Sequence, residues 1–315
     1  MKTIRSTNLN VELTEYVCCP ICKSDLLKSD NYLLCEICHQ KYKLKSGIPH
    51  MISDVSKDLK LTSQKWDKIY DKQLKDKTYK NDYQGYMKFY YQDTYRQLEA
   101  PKKINNLVYL EIGCGPFFLG QEIAKSCKLI VGIDISSSAL KMAKKMLDDK
   151  GIKNYLLVQG DILNMPLKNN IVDLIYGGCV IGHFNETQTS VDELYRILKK
   201  NGVSFNTFPY LNIGSLTYRQ LWGNIPNFPI VKQIAEFIHI KLLKGKHMIF
   251  GFEMSFLATT LKKVHRKAGF SNVSVEKFDV QLLFEFLPEF AKRPAKWLAM
   301  HSRLFWPMVK VIAKK

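Results

Sequence analysis

Long apolar runs are missing from this chain. None of its stretches approaches the roughly eighteen to twenty residues needed to cross a bilayer. The first residues, MKTIRSTNLNVEL, lack the apolar core of a secretory signal, so the expected compartment is the cytosol. Cysteine is sparse as well. Eight in 315 residues are too few for a disulfide scaffold, yet five fall between Cys18 and Cys38, a density that points to a metal in a reducing compartment. Acidic residues are short against basic ones, 29 to 47, which sets the formal charge at +18. The deficit is concentrated past residue 200, where 17 basic side chains face 6 acidic ones. That imbalance fits an anionic partner or a solvated face in a lysine-rich composition. An apolar content of 46% allows one large domain with a small one beside it.

What the chain does have is a βαβ unit from Leu107 to Ser136. Leu107 to Ile112 is a short branched apolar run suited to a strand buried on both faces. Gly113 and Gly115 follow at once, Phe118 to Ser126 has helical spacing, and Leu129 to Ile133 is a second buried strand ending on Asp134. Glycine suits such a turn because the backbone must reverse sharply and let a ligand approach its N–H groups. A dinucleotide turn would need a third glycine where Phe118 stands, and Glu111 would repel a pyrophosphate while suiting a cationic ligand. Downstream, Tyr155 to Val158, Val172 to Tyr176, Val203 to Phe208, Val273 to Phe278 and Met308 to Ala313 read as strands. Helices are expected at Ser138 to Lys150 behind an N-cap at Ser136, at Val191 to Lys200 and at Phe256 to Ala268. The alternation implies an α/β fold with a doubly wound, mostly parallel sheet.

The E-x-G-x-G turn and Asp134 are followed in order by Gln159-Gly160-Asp161, Met165-Pro166-Leu167, Val172-Asp173-Leu174-Ile175 and the run Leu194 to Gly202. This series resembles the class I S-adenosylmethionine-dependent methyltransferases, of the type met in ubiquinone and menaquinone biosynthesis, from about Trp66 to the C-terminus. The resemblance implies a Rossmann-like, seven-stranded methyltransferase domain over 107–315 with a substrate-side insertion at 209–255. A linker and N-terminal helices would occupy 55–106. It also implies that the backbone around Gly113 and Gly115 contacts the amino-acid part of the cofactor with Glu111 nearby, and that Asp134 takes the ribose hydroxyls. Asp161 would receive the adenine amino group, with Ile135 and Ile162 against the ring faces, and Gly177 would let the ligand approach the end of the fourth strand. Many members have a further glycine where Phe117 stands, so a bulky ring is expected to border the methionine end. Trp66 to Tyr70 resembles the family's first helix. Tyr70 there either closes on the cofactor or belongs to an aromatic core stripe with Tyr83, Tyr86, Met87, Tyr90 and Tyr91. No catalytic base announces itself; His183, at the mouth of the fourth strand, is the candidate, ahead of His247 and Tyr210.

Cys19-Pro20-Ile21-Cys22 and Cys35-Glu36-Ile37-Cys38 form a doubled C-x₂-C pattern separated by twelve residues. Two knuckles of this kind present four thiolates at tetrahedral geometry, which favours a closed, structural Zn²⁺ site. His39 is the alternative to Cys38 as fourth ligand. The segment resembles the zinc-ribbon module that partners and activates several methyltransferases. It is similar, too, to the N-terminal zinc finger of bacterial large-subunit rRNA guanine-N1 methyltransferases, where a histidine at the spacing of His39 is the fourth ligand. A zinc ribbon over 1–54, open to a protein partner, is therefore expected.

Three functions follow. Methyl transfer to a small-molecule or lipid-linked metabolite ranks first. An RNA (rRNA or tRNA) methyltransferase is second, motivated by the ribbon and the basic C-terminal third, though no stacking motif of RNA-binding modules is present. A non-catalytic cofactor-binding regulator or scaffold is third. The tail from Phe290 to Lys315 has seven basic residues, no acid, and Trp297 and Trp306. It is expected either to lie peripherally on the inner membrane surface or to pack on the domain.

Overall fold

Residues 12–52, 57–78, 86–248, 251–278 and 287–315 are described by a computed structural model of the chain, with backbone alone at 57–62, 86, 87 and 89. Tyr83, Phe284 and Phe286, and the side chains of Tyr86 and Met87, lie outside the described residues.

A turn of helix, α1 (Leu13–Tyr16), leads into four short strands, β1 (Leu27–Lys28), β2 (Tyr32–Leu34), β3 (Lys41–Lys45) and β4 (Ile48–Pro49). They pair antiparallel in the order β1-β2-β3-β4. Helices α2 (Lys57–Asp76) and α3 (Tyr86–Glu99) come next. The alternating part runs β5 (Leu107–Ile112), α4 (Phe118–Ile123), β6 (Cys127–Asp134), α5 (Ser137–Asp149), β7 (Tyr155–Gln159), β8 (Val172–Gly178), α6 (Thr187–Ile197) and β9 (Leu198–Pro209). Beyond it lie α7 (Ile213–Leu216), β10 (Ile225–Pro226), α8 (Pro229–Glu236), β11 (Met254–Ser255), α9 (Ala258–Lys267), β12 (Asn272–Phe278), α10 (Glu289–His301) and β13 (Met308–Lys314). Seven strands form one mixed sheet in the order β12-β13-β9-β8-β5-β6-β7, the α/β architecture expected. The strands β5, β6 and β7 are parallel neighbours, whereas β12 and β13 are antiparallel. Every residue of β5 is buried, Glu111 included, as a mostly apolar strand covered on both faces requires.

The chain divides into two units, residues 1–176 with 196–203 and residues 177–195 with 204–315. In the first, the small N-terminal sheet is stitched to the chain around β7. Val17 bridges Leu167, the amide of Cys18 donates to the carbonyl of Pro166, and the amide of Met51 donates to that of Gln159. Arg196 holds the receiving segment from the other side, its guanidinium donating to the carbonyls of Met165 at 3.0 Å and Leu167 at 2.7 Å. Two of the sequence motifs singled out above thus hold one another. Ser136 caps α5 as expected, accepting from the amide of Ala139. Asp67 of α2 joins that cap by accepting from the Ser136 hydroxyl and the Ser138 amide, a favourable place for an acid at a helix N-terminus.

The helix expected from Val191 to Lys200 lies earlier in the structure, at Thr187–Ile197. It ends at Ile197, and the chain is extended from Leu198. Asn201 takes φ 63°, and a Cβ on Gly202 would lie 2.8 Å from the carbonyl oxygen of Lys199, so the chain reverses tightly there. Asn-Gly reads as a helix end or as a two-residue turn, and the full burial of Leu198 goes with the second.

In the second unit, α9 keeps Leu261 and His265 inward, and the ring of Phe270 packs edge-on to Tyr195 with centroids 5.2 Å apart. Asn212 and Ser215 form a reciprocal cap at the start of α7. Arg219 is buried, with Nη1 3.5 Å from a carboxylate oxygen of Glu253.

Candidate functional site

Three left-handed residues shape the turn after β5: Gly113 at φ 57°, Gly115 at φ 51° and Phe117 at φ 62°. The amide of Phe117 closes on the carbonyl of Cys114 at 2.8 Å. Asp134, at the end of β6, braces this turn with both oxygens, one accepting from the amide of Gly115 and the other from that of Ser136, each at 2.8 Å. Glu111 sits one layer deeper, accepting from the amide of Gly120 at 3.1 Å and the hydroxyl of Tyr109 at 3.0 Å. Both carboxyl groups are buried. Burial pushes Glu111 up to about 8, against hydrogen bonds that work the other way, and pushes Asp134 up to about 6. Among the described residues, neither Glu111 nor Asp134 has an ion-pair partner.

The Phe117 ring does not border the ligand side as expected. It is fully buried and points beneath the turn, where a Cβ on Gly120 would lie 2.2 Å from it and one on Gly132 3.2 Å. Glycine at 120 and 132 makes room for a ring that the left-handed backbone turns inward. Above the turn lies Tyr70 of α2, whose hydroxyl would be 2.8 Å from a Cβ on Gly115. Its ring stacks on Trp66 at 5.8 Å, and together with Leu74 and Tyr91 it packs against Phe118, Met142 and Met146. Tyr70 thus belongs to an apolar cluster, the second of the two alternatives, with its hydroxyl lying over the turn.

At the end of β7, Asp161 caps the following turn by accepting from the amide of Leu163 at 2.9 Å, and Ile162 is buried behind it. Ile135 is half-buried, its carbonyl accepting from the side chain of Gln159. Glu111, Gly113, Gly115, Asp134, Ile135, Asp161 and Ile162 are thus gathered at or beyond the C-terminal ends of β5, β6 and β7, where open parallel sheets bind ligands. The role of Asp67 was missed from the sequence; an acid three residues before Tyr70 on a charged helix carries no signal of the helix it will cap.

In the second unit, Gly177 is buried near the end of β8. His183 is half-buried in a short turn, and its Nδ1 bonds the carbonyl of Phe252. A carbonyl can only accept, so Nδ1 carries a proton and any proton exchange by this ring would use Nε2. His247 is engaged with His239 at 2.8 Å. The ring of Tyr210 lies tilted against that of Trp306, with centroids 6.2 Å apart.

The two cysteine knuckles are near copies of one another. The amide of Cys19 donates to the carbonyl of Ser24 and that of Cys35 to Gln40, while Lys23 and His39, each directly after its pair, take φ 60° and 56°. The Sγ atoms of Cys19, Cys22, Cys35 and Cys38 all lie within 4.8 Å of one another, with Cys19 to Cys38 and Cys22 to Cys35 at 3.5 Å. Four thiolates about 2.3 Å from one tetrahedral ion stand roughly 3.8 Å apart, so the cluster fits. His39 is exposed and outside that group.

Residues 103–210 match the family described as a methyltransferase domain. The chain is 28% identical over 182 residues to the demethylmenaquinone methyltransferase of Lactococcus lactis subsp. lactis, covering 55% of this chain and 69% of that one. Residues 103–210 therefore carry an S-adenosylmethionine-dependent methyltransferase domain. It is also 31% identical over 118 residues to the malonyl-[acyl-carrier protein] O-methyltransferase of Priestia megaterium, covering 36% of this methyltransferase and 40% of the relative. Among solved structures, the complex between the Haloferax volcanii Trm112 methyltransferase activator and the putative methyltransferase matches with a TM-score of 0.51 at 12% identity, over 83% of this methyltransferase and 99% of that chain. That last likeness is one of fold.

Proposed function

We propose that this methyltransferase binds its cofactor through Glu111, Gly113, Gly115, Asp134, Ile135, Asp161, Ile162 and Gly177 and transfers the methyl to a small-molecule or lipid-linked acceptor. The observation that carries the cofactor assignment is the pair of buried acids that have no ion-pair partner among the described residues, beside a glycine turn. Two acids in such a place suit a ligand that brings its own positive charge. When bound, S-adenosylmethionine supplies an electrophilic methyl group and a neutral leaving group. The chain's part is then to hold and orient. Asp134 spends one lone pair of each oxygen on the turn and keeps others for hydroxyl donors. Asp161 fixes its turn with one oxygen in the same way. His183, oriented by the bond from its Nδ1 to the carbonyl of Phe252, is the candidate proton acceptor through Nε2.

The acceptor reading rests on the relatives, whose names specify demethylmenaquinone and malonyl-[acyl-carrier protein]. We assign the four thiols of Cys19, Cys22, Cys35 and Cys38 to one structural zinc ion, and the zinc ribbon over 1–54 to protein contact; the methyltransferase domain over 107–315 carries the chemistry. The basic tail, with Phe290 and Trp297 exposed, supports peripheral contact with an anionic membrane surface.

Calorimetry with S-adenosylmethionine tests the site: the wild type binds, and Asp134→Ala loses at least about tenfold in affinity, as expected for a carboxylate that braces the turn and accepts from the ligand. Undiminished binding by that variant would refute the assignment. Incubation with methyl-labelled cofactor and cell extract, followed by fractionation, tests the acceptor. Label in the lipid fraction supports it; label in RNA overturns it.

A further inference from the structure

A helix on the surface of a water-soluble unit turns its apolar stripe inward. In this chain α8 and the π-turn that continues it, Phe237–Leu242, do the reverse. Ile230, Ile234, Phe237 and Ile238, spaced as one helical face, point outward, with Ile230 69% and Phe237 58% exposed. Only Ala235 and His239 of this stretch are buried, and the inward attachment is polar: His239 bonds His247 and the side chain of Gln220, each at 2.8 Å, and Lys232 bonds Asn185 at 2.7 Å. Phe228 before the helix, and Leu242 and Leu243 after it, are exposed as well. The chain thus presents a continuous apolar ridge held to its own unit by hydrogen bonds.

The charges next to the ridge decide what covers it. From residue 228 to 248 the sequence has four lysines and a single acid, Glu236, which is paired with Lys232. Lys241, Lys244 and Lys246 stand exposed directly past the ridge. A second copy docking through the same face would bring like charges together across a two-fold axis. A nucleic acid would meet the lysines and leave the ridge in water. An anionic bilayer surface satisfies both at once, taking the ridge below its headgroups and the ammonium groups at them.

We propose that residues 228–246 form an in-plane membrane anchor that docks this methyltransferase on anionic lipid. The site is distinct from the basic tail. It also goes beyond the acceptor reading, since docking requires neither cofactor nor acceptor, and a failure of either assignment leaves the other standing.

The test is co-sedimentation of the full chain with vesicles of phosphatidylcholine, with and without phosphatidylglycerol, at low and at physiological ionic strength. The wild type is expected to partition onto the anionic vesicles and to keep part of its binding at the higher salt, where charge alone is screened. Ile234→Ser with Phe237→Ser should lower partitioning by at least about tenfold, the expected effect of removing two large inserted side chains. Changing Lys241, Lys244 and Lys246 to Gln should abolish the preference for anionic over neutral vesicles. Both sets alter exposed positions, and an unchanged urea midpoint verifies the fold. Three results overturn the proposal: no binding to anionic vesicles, equal partitioning of wild type and serine variant, or loss confined to a tail variant with Lys292, Arg293 and Lys296 changed to Gln. Concentration-dependent dimerisation that the serine variant abolishes would assign the ridge to a second copy instead and equally overturn it.

Discussion

Replacing Glu111 by Gln separates the charge of this buried acid from its hydrogen bonds. The carboxylate accepts from the Gly120 amide and the Tyr109 hydroxyl through one oxygen, and the amide oxygen of Gln can accept both. What the variant removes is titration. In the fold Glu111 is raised by burial from 4.5 to about 8, so the native chain holds a proton there that the unfolded chain has released. Stability of the ligand-free wild type is fully present below about pH 4.5 and is lost as pH rises through about 8. The gap corresponds to at most about 5 kcal/mol. Asp134 acts with the same sign over a lower window, from 3.8 to about 6, and it also raises Glu111, so the two effects are not independent. Urea unfolding of the ligand-free protein from pH 5 to 8 is the assay. The wild type should lose stability across the range. The Gln variant should lose stability through Asp134 alone, level off above about pH 6, and so diverge from the wild type from about pH 5 onward, ending more stable by about 2 to 4 kcal/mol at pH 8. Parallel curves, or a wild type that gains stability above pH 6, would show that Glu111 is not buried and protonated as its surroundings require.

The inward Phe117 ring predicts strong coupling with Gly120. Gly120→Ala alone should cost about 3 kcal/mol in urea unfolding and Phe117→Ala about 4, while the pair should cost at least about 1 kcal/mol less than the two together. Additive costs would place the ring elsewhere. Removing one thiol by Cys35→Ser should release the metal and lower stability by several kcal/mol, read by zinc content and thermal unfolding. Equal zinc in the variant would refute the four-thiol site. Asp134→Ala and the vesicle measurements above complete the set.

The sheet was legible because its central strands are buried on both faces. Leu107 to Ile112 and Leu129 to Ile133 can only be mostly apolar runs in such a place, and the doubled cysteine pairs were equally plain. Direction was not legible. Nothing in the spacing around Phe117 tells that a left-handed backbone would send its ring under the turn, because that depends on the space left by Gly120 and Gly132 on other elements. Leu198 to Gly202 failed for a related reason: lysines followed by Asn-Gly serve a helix end and a tight reversal equally well, and tertiary burial of Leu198 decides between them. Neither α8 nor its apolar stripe was among the expected elements, since the stretch falls in the insertion at 209–255. Only the structure shows that Ala235 and His239 took the inside.

The stitching of the small N-terminal sheet to the chain around Gln159 has a consequence for the loss of the zinc ion proposed for it. In the strand order β7 is terminal, and a terminal strand carries unpaired amides and carbonyls that template aggregation. His50 bridges Gln159 in parallel, and the amide of Met51 occupies its carbonyl. The knuckled module therefore acts as an edge guard. Stripped of its ion it would peel away and bare part of β7, so chelation should lead to self-association through that strand at temperatures well below those that melt the central sheet.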